Sequence, residues 1–123
     1  MKWSFDNERP IYTQIIESMK LFIVSGEIKP GDRVPAVREL AAEAEVNPNT
    51  MQRALAELER IGLLYTNRTS GRFVTENVDI IEAIKLDIAR KSVADFLVAM
   101  EKIGYSRAEI VKLLENFERR DAQ

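Results

Sequence analysis

Two clusters of polar side chains carry the chemistry available to this chain. Asn47, Asn49, Thr50, Gln52 and Arg53 crowd the start of one helical pattern, and Arg38 stands at the start of the helical pattern before it. Arg68, Ser70, Gly71 and Arg72 form the second cluster, in a short loop between two strand-like runs. Asn and Gln can pair bidentately with adenine and Arg with guanine, while a Thr hydroxyl can hold a phosphate without reading sequence. A helix start adds free amides and the positive end of a dipole. An arginine in a loop suits a narrow A·T-rich minor groove, where it reads shape more than sequence. A glycine beside it lets backbone approach the sugar-phosphate chain. Together these residues describe a helix that enters the DNA major groove with a basic loop next to it.

Other chemistries are poorly supplied. The chain has no histidine and no cysteine, which removes the usual near-neutral acid/base group, disulfides and thiolate metal ligands. Glu43, Glu45, Glu57 and Glu59 are closely spaced. Without a His or Cys partner they read as solvated helix faces rather than a metal or catalytic site. Met1–Phe5 is followed by Asp6, Asn7, Glu8 and Arg9, so no signal peptide is visible, and apolar runs such as 96–100 are too short to span a bilayer. The expectation is a cytoplasmic protein that is not an enzyme, with no cofactor and no membrane partner.

A length of 123 residues, 46% of them hydrophobic and 31% charged, suits one small folded domain or a compact domain with an appendage. The net charge of -2 is unusual for a DNA binder. Residues 1–75 hold 10 Lys/Arg and 10 Asp/Glu, and the remainder holds 8 and 10. Affinity for DNA must therefore come from where Arg33, Arg38, Arg53, Arg68 and Arg72 sit, and must be sensitive to salt.

The elements that must position these residues follow from periodicity. Met1–Phe5 alternates apolar and polar, as a short strand or as an arm packed on the body. A helix is predicted from Pro10 to Ser25, with Ile15, Ile16, Met19, Phe22 and Ile23 as its apolar stripe and Gly26 at its end. Lys29–Asp32 is a turn. A second helix covers Val37–Ala44. A third starts at Asn47, a good N-cap followed by Pro48 at the first position, with Met51, Ala54, Leu55 and Leu58 inward and Gly62 closing it. Leu63–Thr66 and Arg72–Thr75 read as strands. A long helix is expected from Val78 to Ile103. A last helix is opened by the capping box Ser106–Glu109, with Ile110, Leu113, Leu114 and Phe117 inward. These two helices carry more apolar surface than they can cover, which points to a second copy of the chain.

Within this frame the residues Pro10-Ile11-Tyr12, Gln14-Ile15, Gly26, Pro30-Gly31-Asp32-Arg33, Val34-Pro35-Ala36-Val37-Arg38-Glu39-Leu40-Ala41, Asn49-Thr50, Ala54-Leu55, Leu58-Glu59, Gly62, Gly71 and Phe73-Val74 form an ordered set. The set resembles the GntR family of bacterial transcriptional regulators. The form Val46-Asn47-Pro48-Asn49-Thr50 and the short tail are similar to its YtrA-like subfamily. The resemblance implies a mainly α fold with a small β-wing: a winged helix-turn-helix over residues 1–76 and a two-helix C-terminal dimerisation tail over 77–123. It implies base or phosphate contact by Arg38, a recognition helix starting at Asn47, and a wing over Arg68–Arg72. Three positions depart from the family pattern. Ala36 replaces a capping serine, Thr69 replaces a wing glycine, and Pro48 stands where other branches have a base-reading arginine.

The expected function is a sequence-specific regulator, a repressor, that binds a pseudo-palindromic operator as a homodimer. Its recognition helices would enter successive major grooves roughly 34 Å apart. It is expected to bind without an added cofactor, and a small-molecule effector remains open. The alternative is a winged-helix module that binds protein rather than DNA. At single residues, Arg53 has Glu57 within reach one turn on, and Tyr12 is either a phosphate contact or a half-buried anchor.

Overall fold

A computed structural model describes residues 1–118. Its elements are α1 (Ile11–Val24), α2 (Val37–Ala44), α3 (Pro48–Arg60), β1 (Leu64–Asn67), β2 (Gly71–Val74), α4 (Val78–Lys102) and α5 (Arg107–Asn116).

The first residues are an arm rather than a strand. Met1, Trp3 and Phe5 pack against the core while Lys2 and Ser4 face solvent, which is what their alternation records. Trp3 meets Phe22 edge-on at 5.0 Å, and its indole N–H donates to Glu43 at 3.2 Å, so the arm touches both α1 and α2. Pro10 stands just outside α1, at the N-cap, rather than inside its first turn. Ile15, Met19, Phe22 and Ile23 are buried as their spacing requires, and Ile16 only in part. Gln14, read from the sequence only as part of the family resemblance, is also buried. Its amide donates to the carbonyls of Asp6 and Arg9 at 3.0 and 2.8 Å, and its Oε1 accepts from the Asp6 N–H at 2.9 Å. A buried amide is tolerated because all of these bonds are made.

α2 and α3 have their expected limits and pack on each other, and α1 packs across α3. Between them Glu45 adopts φ 57°, a left-handed conformation that closes α2 and turns the chain into α3. α2 starts without a side-chain cap, because Ala36 has none to offer. Its backbone is already extended (φ -61°, ψ 153°), as a cap requires. Ala36→Ser is therefore expected to raise the unfolding free energy by about 1 kcal/mol, read from urea denaturation. A gain below measurement error would show that those amides are satisfied some other way.

The hairpin pairs Leu64 with Val74, Tyr65 with Phe73, Thr66 with Arg72 and Asn67 with Gly71. The strands run one residue closer to the tip than their hydrophobic pattern suggested. The segment predicted as a plain turn also contributes a third edge. Val34 N–H donates to Arg72 O at 2.8 Å, Val74 N–H to Asp32 O at 2.9 Å, and Gly31 N–H to Val74 O at 2.9 Å. β2 is thus held on both sides, which leaves it no open edge.

The described chain forms two compact units, Met1–Leu86 and the residues from Asp87 onward. The start of α4 belongs with the first: Ile81 is buried there, and Ile80 and Ile84 pack against the core. In the second unit Ser106 and Glu109 form the reciprocal capping box. Of the four residues expected to face inward on the last helix, only Ile110 is buried; Leu113 and Leu114 are 42% and 57% exposed, and Phe117, just past the helix end, is 50% exposed. A ten-residue helix opposite a single partner helix can cover only a narrow stripe, so the rest of its apolar side stays open in one chain. No helix among the described residues is long and apolar enough to cross a membrane.

Candidate nucleic-acid interface

α3 supplies an open polar face. Met51, Ala54, Leu55 and Leu58 are buried, whereas Asn49, Gln52, Arg53, Ala56 and Arg60 are exposed. The exposed set recurs at helical spacing, so it forms one solvent stripe opposite the core. At its head, Asn47 Oδ1 accepts from the Asn49 N–H at 2.7 Å, and Pro48 has no N–H to satisfy. Thr50 is half-buried beside them.

The arginines divide by what they touch. Arg38 on α2 and Arg68 at the hairpin tip are exposed and make no hydrogen bond or ion pair among the described residues; the same holds for the side chains of Asn49 and Gln52. Arg53 does not reach Glu57. Its guanidinium lies over the Tyr12 ring, 4.8 Å from the centroid, and Glu57 is taken by Arg60 at 2.5 and 2.7 Å. Tyr12 is half-buried and serves as a platform for a cation. The Arg60 guanidinium holds the Glu57 carboxyl below its usual range.

The tip is a tight turn built by a side chain. Asn67 Oδ1 accepts from the Thr69 N–H and hydroxyl, both at 3.0 Å, and the Ser70 N–H donates to Asn67 O at 3.3 Å. An Asx-type turn of this kind needs no glycine at position 69. Gly71 does need to be glycine. It adopts φ +105°, and a Cβ there would lie 3.1 Å from Arg33 Nε. Arg33 fills that space and donates from Nε to Ser70 O at 2.9 Å. Close approach of a side chain is thus the first reason for the residue expected to admit a sugar-phosphate chain.

Arg72 is 17% exposed and donates from Nε to Glu59 Oε1 at 2.6 Å; the Thr66 hydroxyl donates to the same oxygen. Burial raises the Glu59 pKa, but the bonds from Thr66 and Arg72 and the Arg72 charge outweigh it and leave the carboxyl below its usual range. Arg33, Ala36, Thr66, Gly71 and Arg72 line a shared depression of about 230 Å³. The half of the hairpin nearer its tip therefore lies beside the start of α2.

In the amino-acid sequence Glu59 is one of four carboxylates on solvated helix faces, and Arg33 is a cation near the polar face with no assigned role. What marked them is visible only once Glu59 is opposite a hairpin and Arg33 beneath a glycine. Glu43 accepts from Trp3 and Glu57 from Arg60, whereas the Glu45 side chain is exposed and makes no bond among the described residues. Among the described residues no group of acidic side chains is arranged to hold a metal ion.

Two helices crossing at a tight turn, the second with an open polar face, beside a hairpin whose second strand is paired on both sides, define a winged helix-turn-helix DNA-binding protein. The family pattern described as bacterial regulatory proteins, gntR family, matches residues 11–74. The chain belongs to the GntR family of DNA-binding transcriptional regulators and is YtrA-like within it. It is 38% identical over 108 residues to the HTH-type transcriptional repressor YtrA of Bacillus subtilis, covering 86% of this chain and 80% of that one. A GntR family transcriptional regulator from Listeria monocytogenes superposes with a TM-score of 0.84 at 40% identity, over 93% of this chain and all (100%) of the other. The DNA-binding domain of AraR in complex with operator ORX1 superposes with a TM-score of 0.56 at 29% identity, over 61% of this chain and 96% of that one.

Proposed function

We propose that the protein is a cytoplasmic repressor that binds a pseudo-palindromic operator as a homodimer and has no catalytic activity. The observation that carries this reading is the set of unengaged side chains on Arg38, Asn49 and Gln52, on two helices that pack together, while Arg33, Arg53, Arg60 and Arg72 are tied to internal partners. Asn49, Gln52 and Arg53 read base edges, Arg38 meets a base or a phosphate, and Asn47 and Thr50 position the helix start on the backbone. Arg68, Ser70 and Gly71 carry the wing to the minor groove, with Arg72 behind them. The tail, residues 77–123, joins two such heads. Phe96, Leu97, Val111 and Leu114 line an apolar groove of about 420 Å³ over Ile110 within the second unit. An open apolar surface of this kind suits a second copy of the chain.

Fluorescence anisotropy of the purified protein on DNA from upstream of its own gene tests this. Saturable binding is expected with no added metabolite and with two chains per site. The logarithm of affinity should fall linearly with the logarithm of salt concentration, by about 0.9 per phosphate neutralised. Failure to bind any genomic fragment at low salt would favour a protein-binding module instead. Binding that appears only with a metabolite would show that an effector completes the site.

A further inference from the structure

We propose that Glu59 is a positioning residue that sets the wing against the recognition helix, with Arg72 and Thr66 as its partners rather than as DNA contacts. The proposal rests on the DNA-binding reading above. Glu59 lies on the last turn of α3, so it moves with the helix that carries Asn49 and Gln52. Thr66 and Arg72 are cross-strand partners in the hairpin register. Directly opposed residues project side by side from the same face of a two-stranded sheet. One carboxylate oxygen receives both of them, so a single side chain on α3 fastens both strands of the wing.

The position of this fastener matters. The base of the hairpin is anchored by Leu63, Leu64 and Val74, all buried. The Thr66–Arg72 pair is the last but one before the tip, next to Asn67–Gly71. On the other side of the hairpin Tyr65 stacks on Phe73 at 5.7 Å, and Tyr65 is exposed. That stack joins the two strands to each other and holds neither to α3. Without Glu59 the hairpin would keep its internal pairing, its buried base and its bonds to residues 31–34, the Arg33 bond to Ser70 O among them, but would lose its side-chain tie to α3 near the tip. Arg68 would then be presented over a range of angles, and part of its binding free energy would go to ordering it. Arg72 also neutralises Glu59, so the pair brings no net charge toward a phosphate chain. This explains why a carboxylate is tolerated close to a DNA-binding surface.

Removing Glu59 deletes a negative charge as well as a tie, so overall affinity alone does not decide the matter. Coupling to Arg68 does. In the wild-type background Arg68→Ala should weaken operator binding about ten-fold, and in the Glu59→Ala background by less than about two-fold. Glu59→Gln keeps an acceptor oxygen for both donors and should restore a large part of the coupling. Footprinting of Glu59→Ala should lose minor-groove protection at the flanks of the site while major-groove protection at its centre persists. An equal effect of Arg68→Ala in both backgrounds, or intact flank protection, overturns the proposal. Amide hydrogen exchange without DNA is the separate arm. Glu59→Ala should speed exchange across residues 64–74 and leave α1 unchanged. Unchanged wing exchange overturns the fastening itself. Faster wing exchange in a protein whose wild type binds no DNA would instead overturn the DNA-binding reading, and with it the wing's purpose.

Discussion

Arg38→Ala is expected to weaken operator binding by about five- to 150-fold, the equivalent of the roughly 1–3 kcal/mol that a good bidentate arginine contact supplies. The size of the effect follows from what Arg38 does not do in the free protein. It is exposed and makes no bond to other described residues, so its removal disturbs no internal pair. Stability should change by less than about 0.5 kcal/mol, as for surface substitutions generally. Anisotropy titration and a thermal melt on the same preparation separate the two readouts. Arg38→Lys refines the result: a base-edge contact is lost nearly as fully as with alanine, whereas a phosphate contact is largely kept. Unchanged affinity in the alanine variant would remove α2 from the interface and break the proposed surface.

Leu55→Ala is expected to destabilise the first unit by about 2–5 kcal/mol, through lost burial and the cavity left behind. Leu55 is fully buried on the core face of α3, with Ile15, Met19, Met51 and Leu58 in the same cluster. Small domains are stable by only about 5–15 kcal/mol in total, so this one change consumes a large share. The melting temperature should fall by roughly ten degrees or more. Differential scanning calorimetry checks this, and a fall of under about two degrees would mean that the core around α3 closes over the gap. Operator binding should decline with the folded fraction. That pattern differs from Arg38→Ala, in which the fold stays and binding goes.

Much of the arrangement was legible in the amino-acid order because it depends on local rules. Asn47-Pro48 marks a helix start whatever surrounds it, since the cap and the missing N–H act within one turn. Ser106 and Glu109 cap each other for the same reason. Met51, Ala54, Leu55 and Leu58 fall on one side of any helix, so the opposite polar face follows. The roles of Arg53, Arg72 and Glu59 were not legible. Arg53 has Glu57 one turn away, yet it lies over Tyr12 from another helix. Arg72 looks like one more wing cation until α3 brings Glu59 beneath it. The third edge of the wing was hidden too, because residues 31–34 carry turn chemistry and pair through backbone atoms that any sequence possesses. In the last helix periodicity marks Ile110, Leu113, Leu114 and Phe117 as one apolar side with more surface than two helices can cover, but only packing shows that Ile110 is the one of the four that is buried.

The order of residues by itself determined where the helices and hairpin lie, which faces are apolar, and which polar groups stand at helix starts. Those properties arise from interactions within a few residues. Only the tertiary structure decided which cations stay unpaired among the described residues and which are tied to carboxylates, rings or carbonyls. Glu59 to Arg72, Arg33 to Ser70 and Arg53 to Tyr12 join residues far apart in sequence, and their meeting depends on how packed elements bring side chains within a few ångströms.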